Sequence, residues 1–213
     1  MTLFRAMISA MAILLMAAGP RPTLAADAPA ARTMVQAAVD DGLTSFVGKA
    51  HSLPERTRLL DGLLRRYTDP TMLSASMLGR HWDKIDPSGQ AAFTETFMRY
   101  LVSSYVGLLK NLQAGVRVEI GEATDLGARA RVASIAYLPS QPGAPVPVEW
   151  GVGVTADGRP VLMDVTAEGV SIIRAMREDF ASVLRGSGGK IEPLMEALRR
   201  KIDANDKDNA TTP

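Results

Sequence analysis

The sequence predicts an α+β domain: an antiparallel, four-stranded, curved sheet packed by N- and C-terminal helices. Three observations predict it. Apolar residues recur at three- and four-residue spacing on both sides of a central stretch, 116–166, in which the period drops to two. The strands of that stretch follow one another across short turns, Asp125-Leu-Gly127 and Asp157-Gly158, with no helical crossover between them. The 213 residues suffice for one core and show no internal repeat.

The first segment stands apart from the domain. Arg5 supplies a positive start, Met7 to Ala18 is an apolar run, Gly19, Pro20 and Pro22 break it, and Thr23-Leu-Ala25 offers small residues for cleavage. This pattern predicts a secretory signal peptide over 1–25, cut after Ala25 or Ala26. The rival reading, a membrane anchor, needs roughly 20 apolar residues, more than the run provides. Removing the segment takes away Arg5 and Arg21, leaving 22 basic residues against 23 acidic and a net charge of −1 in place of +1. A soluble, nearly neutral, exported protein follows, with the periplasm as its expected location.

The mature domain is expected over 26–204. Met34, Val35, Ala38, Val39, Leu43, Phe46 and Val47 mark an amphipathic helix over 33–47. Ser52-Leu-Pro-Glu55 is a capping box that opens a second helix, with Leu59, Leu60, Leu63, Leu64 and Tyr67 as its apolar stripe. Asp69-Pro70 starts a short helix that closes near Gly79. Asp86-Pro87 caps the longest one, expected to run to about Leu112 with Phe93, Phe97, Leu101, Tyr105 and Leu108 on one face. Four strands follow, near 116–120, 129–138, 146–154 and 160–166. Helices over 170–184 and 191–202 complete the domain, and the polar end, 205–213, is expected to be disordered.

The composition excludes several function classes. With 24 basic and 23 acidic residues there is no cationic excess for nucleic acid, and with no cysteine there are no disulfides, zinc clusters or thiol nucleophiles. His51 and His81 lack ligand partners at helical spacing, so no metal site is expected. Gly151-Val-Gly153-Val-Thr-Ala156 matches a loose dinucleotide fingerprint but lies inside an alternating strand, where glycines instead let a helix or ligand approach the sheet. Gly186-Ser-Gly-Gly189 reads as a linker rather than a nucleophile elbow. Asp164 and Glu168 flank a strand-to-helix junction. Paired carboxylates can run hydrolysis, but Glu168 as a cap for the following helix is the favoured reading. No catalytic residue and no cofactor are therefore expected. Seven methionines remain after residue 25, an ample supply of adaptable apolar side chain.

Asp164-Val-Thr-Ala-Glu-Gly-Val-Ser-Ile-Ile173 resembles the MlaC, or toluene-tolerance, family of periplasmic lipid carriers. The resemblance extends to Tyr67-Thr-Asp-Pro70, to Met77-Leu-Gly-Arg-His-Trp82, to Asp86-Pro-Ser-Gly-Gln90 with Phe93, Phe97, Leu101 and Tyr105, and to Glu149-Trp150. Phe180, Leu184, Gly188-Gly189, Ile191, Leu194 and Leu198 carry it to the C-terminal end. The HpnM-type branch encoded with hopanoid biosynthesis shares the same pattern. The resemblance implies a monomeric carrier whose helices and curved sheet enclose an apolar cavity for phospholipid, or hopanoid, as ligand. It further implies partners: an inner-membrane ABC transporter with an MCE-domain subunit and an outer-membrane lipoprotein–porin complex. Maintenance of outer-membrane lipid asymmetry is the implied role. A periplasmic hydrolase and a non-lipid adaptor are the readings from other classes.

For such a cavity, the alternation places Val148, Trp150 and Val152, with Ile135 and Tyr137, opposite Phe97, Leu101, Tyr105 and Leu108. Met163, Val165, Ile173, Met176 and Phe180 close its end. The same residues could equally fill a dry core. Burying about 30 lipid methylenes at ~0.8 kcal/mol each is worth about 24 kcal/mol, so release through water is excluded on energy and contact transfer is expected. The head group is expected near the rim, because burying its phosphate unpaired is costly.

Overall fold

Side-chain caps fix where the helices begin. The computed structural model describes residues 27–110 and 112–211, so the signal-peptide expectation lies outside the described residues. Helix α1 covers Ala28–Phe46, α2 Leu53–Tyr67, α3 Pro70–Leu78 and α4 Pro87–Tyr105. The Ser52 hydroxyl accepts from the Glu55 amide while the Ser52 amide donates to the Glu55 carboxylate, completing the capping box of α2. Asp69 accepts from the Met72 amide at 2.8 Å, and Asp86 accepts from the Gly89 amide at 2.8 Å, each with a proline at the next position.

The strands are β1 Arg117–Asp125, β2 Arg129–Tyr137, β3 Val146–Val154, β4 Pro160–Ala167 and β5 Val170–Ser171, antiparallel in sequential order in one curved, unclosed sheet. The fifth strand arises because Glu168 and Gly169 both take positive φ, 51° and 80°, as a two-residue hairpin loop requires. Residues 170–171 therefore pair with 166–167 instead of starting the helix, and α5 runs Ile172–Gly186. Its cap is Ser171, which accepts from the Arg174 amide at 3.0 Å. Glu168 is exposed in the turn and caps nothing, contrary to the sequence-based expectation.

One sheet face packs against α1. Val35 and Val39 bury against Ala130, Val132 and Val152, flanked by Val118, Ile120 and Trp150. A bulge between Ile120 and Ala123 frees backbone carbonyls, and Arg32 of α1 donates to Ile120 O and Gly121 O at 3.1 and 2.9 Å. A second, separate core joins α3, α4, α5 and α6, the last running Glu192–Thr211. Its centre is aromatic: Phe93 and Phe97 stack with centroids 5.9 Å apart, and the Phe180 ring meets both edge-on at 6.4 and 5.9 Å.

Two boundaries differ from those expected. Helix α4 ends at Tyr105 and tightens into a 3₁₀ turn over 106–109, which rotates Leu108 out to 72% exposure. The polar end is helical to Thr211 rather than disordered. Asn205 donates to the Ser103 and Ser104 hydroxyls at 3.2 Å, and Asn209 donates to the Ser103 carbonyl at 2.8 Å. Gly107 makes this possible, since a β-carbon there would lie 2.4 Å from Asn209 Oδ1. Polar composition suggested solvation, but these amides hold the last turns against α4. At about 1 kcal/mol per hydrogen bond, Asn205→Ala/Asn209→Ala is expected to lose about 2 kcal/mol and lower Tm by about 4–8 °C. Differential scanning calorimetry checks this; a free tail predicts no change.

Candidate functional site

Beside the helical core, β4 and the start of α5 face α2, α3 and α4 across an apolar cavity of about 190 Å³. Ten of its twelve lining side chains are aliphatic, thioether or aromatic: Leu60, Leu64, Leu73, Leu101, Tyr105, Leu162, Met163, Val165, Ile172 and Ile173. The other two have their polar atoms committed to the protein. The Thr68 hydroxyl donates to the Leu64 carbonyl at 2.7 Å. Asp164 accepts from the Ser171 hydroxyl at 2.5 Å and from the Ile173 amide at 3.1 Å. The wall therefore asks nothing polar of an occupant, except at Tyr105, whose hydroxyl bonds to no described residue.

Leu60, Leu64, Leu162 and Val165 are each only half-buried although they line the cavity, because they border space rather than other atoms. Such a wall forgoes dispersion contacts that an apolar ligand can restore. The volume lies below the ~300–1,000 Å³ of typical ligand sites, so a two-chain lipid requires the walls to part. They can part along the seam, since Leu60, Leu162 and Val165 belong to neither core cluster.

The β4 bulge separates this cavity from a larger, polar recess of about 650 Å³ between the other sheet face and α5. Met163, Asp164 and Ile173 line both. The strand glycines serve close approach here: a β-carbon on Gly153 would lie 2.9 Å from Met163 and from Met72 of α3.

The residues proposed from sequence divide into four groups. Leu101, Tyr105, Met163, Val165 and Ile173 line the cavity. Phe97, Met176 and Phe180 fill the helical core. Trp150 and Val152 belong to the core under α1, and the half-buried Val148 lies on the same face, its carbonyl accepting from Ser134. Trp150 Nε1 donates to the Ser134 hydroxyl at 2.8 Å, fixing the indole.

Ile135 and Tyr137 lie on the opposite face, and Leu108 is in solvent, so these three are removed from the site. The register explains the first two: Ser134, not Ile135, stands across from Val148, and one residue of slip inverts a strand. Tyr137 instead donates to Glu119 at 3.0 Å beneath the Arg117 guanidinium. Leu60, Leu64, Leu73, Leu162 and Ile172 line the cavity without having been singled out. Leu60 and Leu64 stood in a clear apolar stripe, but a stripe does not tell core from cavity.

The other candidate groups are structurally occupied. His51 Nε2 lies 2.8 Å from the Ser45 carbonyl, its ring edge-on to Phe46. His81 packs near Gly189 with Nδ1 buried and unpaired among the described residues. Residues 186–189 close α5, with the Gly189 amide donating to Leu184 O at 2.7 Å, and are not a free linker.

The family model "MlaC protein" matches residues 36–200. The chain belongs to the MlaC family. Among curated proteins, none matches it. Among solved structures, it is similar to a phospholipid-binding protein from Ralstonia solanacearum in complex with a phospholipid. The two are 22% identical, superpose with a TM-score of 0.72, and the match covers 83% of this chain and 98% of that one. The two proteins share a fold.

Burial, followed by the neighbouring Tyr100, raises the Tyr105 pKa. The folded state then favours the neutral phenol. Its contribution to stability is complete below the unfolded value, about 10, and is lost as pH rises through the folded one. Tyr67, raised by burial and by Asp41, acts in the same direction. Above about pH 10 the wild type is expected to lose stability more steeply than Tyr105→Phe. Urea midpoints measured across the alkaline range, with phenolate absorbance followed alongside, check the difference.

Proposed function

We propose that this MlaC-family protein is a soluble periplasmic carrier that holds phospholipid in the apolar cavity beside its helical core. It exchanges the lipid by direct contact with an inner-membrane MCE-domain ABC transporter and an outer-membrane lipoprotein–porin complex, thereby maintaining outer-membrane lipid asymmetry. The observation that carries the reading is the cavity itself: ten apolar or aromatic side chains, two polar ones already bonded within the protein, and a position on a seam. The bound phospholipid of the Ralstonia solanacearum structure supports the ligand class. No described helix is long and apolar enough to cross a membrane. The apolar run after Arg5, read from the sequence as a signal peptide, supports the location.

Direct hand-over follows from energetics. At ~0.8 kcal/mol per methylene, a lipid passing through water would forfeit about 24 kcal/mol for some 30 methylenes, whereas a continuous apolar path loses little.

The test is purification followed by solvent extraction and lipid mass spectrometry. Phospholipid near one molecule per protein is expected. Leu60→Trp, which projects bulk into the cavity from a half-buried position, is expected to cut retained lipid by more than about fivefold with the folding transition preserved. Recovery of no lipid together with no uptake from vesicles contradicts the carrier; recovery of hopanoid alone contradicts the phospholipid.

A further inference from the structure

The polar recess on the far side of β4 holds an unusual concentration of one charge. Arg129 and Arg131 reach it from β2; Arg174, Arg177 and Arg185 reach it from α5. On α5 these three share one stripe, with spacings of three and eight residues, so they face the sheet together. Of the five, only Arg131 has a partner among the described residues, Glu149 at 3.9 Å. The guanidiniums of Arg129, Arg174, Arg177 and Arg185 form no hydrogen bond or ion pair with any described residue. Three carboxylates line the same space. Glu149 faces Arg131, Asp164 is held by Ser171 and the Ile173 amide, and Glu178 pairs with no described residue. Five cations against three anions leave an excess of two positive charges in a protein that is otherwise nearly neutral.

The floor of the recess is also shaped for close approach. Arg131 pairs in register with Gly151, so the strand position beside the guanidinium carries no side chain. Gly151 has no positive φ that would require glycine, yet a β-carbon there would crowd Asp164 at 3.2 Å. An open floor under convergent, unpaired guanidiniums suits a compact anion with several acceptor oxygens, because arginine binds phosphate through paired N–H donors. The third observation is the shared wall. Met163, Asp164 and Ile173 line both this recess and the apolar cavity, so the two spaces are one layer of side chains apart. An occupant with chains in the cavity can place a charged end among the arginines once this layer parts, as a two-chain lipid requires of so small a cavity.

We propose that this arginine recess binds the phosphate-bearing head group of the lipid whose chains occupy the adjoining cavity. The proposal rests on the carrier reading above and specifies which end of the lipid lies where. The shared chemistry is a phosphate oxyanion, and the proposal commits to the phosphodiester of a lipid rather than free phosphate. The recess therefore selects for charged over uncharged diacyl lipids, and it holds the head group at the surface, where a receiving partner can reach it.

The experiment uses lipid-stripped full-length mature protein and vesicles containing phosphatidylglycerol and diacylglycerol with identical acyl chains. After the vesicles are removed, both lipids retained on the protein are quantified by mass spectrometry. Wild type is expected to favour phosphatidylglycerol, and Arg174→Gln/Arg177→Gln to retain about tenfold less of it while keeping its diacylglycerol unchanged. The unchanged diacylglycerol shows that the variant is folded and its cavity intact. Equal phosphatidylglycerol retention by variant and wild type overturns the recess assignment and leaves the carrier standing. Retention of neither lipid by the wild type overturns the carrier itself, and this proposal with it. A parallel titration with inorganic phosphate separates the two anion sources. Saturable phosphate binding that the variant loses, with phosphatidylglycerol retention unaffected, assigns the arginines to free phosphate and overturns the head-group site.

Discussion

Asp164 sets the geometry on which both spaces depend. By accepting from the Ser171 hydroxyl and the Ile173 amide, it ties the end of the sheet to the first turn of α5 across the Glu168-Gly169 hairpin. This fixes the direction in which α5 leaves the sheet. On one side of the tie lies the apolar cavity, on the other the arginine recess, with Met163 and Ile173 completing the partition. A single half-buried carboxylate thus closes a corner of the fold. Its oxygens are occupied by the protein.

The second constraint is that the apolar side chains do not gather into one core. Helix α1 claims one face of the sheet, while the Phe93–Phe97–Phe180 cluster organises α3 to α6 separately. A seam remains where β4 meets the helical core, and Leu60, Leu64, Leu162 and Val165 line it only half-buried. In most domains such a seam would be a defect, costing dispersion energy at each wall. In a lipid carrier it is the place where a ligand supplies the missing contacts. Unbranched Met163, which lies over Gly153 on the partition, suits a wall that must accept acyl chains of varied shape.

Much of the architecture was legible in the sequence because local signals and global fold agree. Ser52 and Asp86 each cap the helix they were expected to cap, and Asp69 caps the one it was expected to start. The change of period at Gly115 located the sheet. Legibility failed where long-range register or tertiary contact decides. Ile135 and Tyr137 carry the right chemistry but the wrong parity, which only the pairing of Ser134 with Val148 reveals. Leu108 follows the helical period of α4 past the point where α4 stops. Asn205 and Asn209 look like a solvated tail until the bare backbone of Gly107 is placed beneath them. Residues that line the cavity and residues that fill the core share one composition. Leu101 and Phe97 lie on the same helical face, yet one borders space and the other does not.

The position of the lipid chains is the central claim, and photocrosslinking measures it directly. A phospholipid carrying a diazirine midway along one acyl chain is loaded from vesicles, irradiated on the isolated complex, and its attachment sites are read by peptide mass spectrometry. The account predicts adducts on the cavity walls, on Leu60 or Leu64 of α2, Leu162 or Val165 of β4, and Ile172. Adducts confined to the α1–sheet interface around Val35 and Val132, or to the exposed outer face around Ile135, would contradict it.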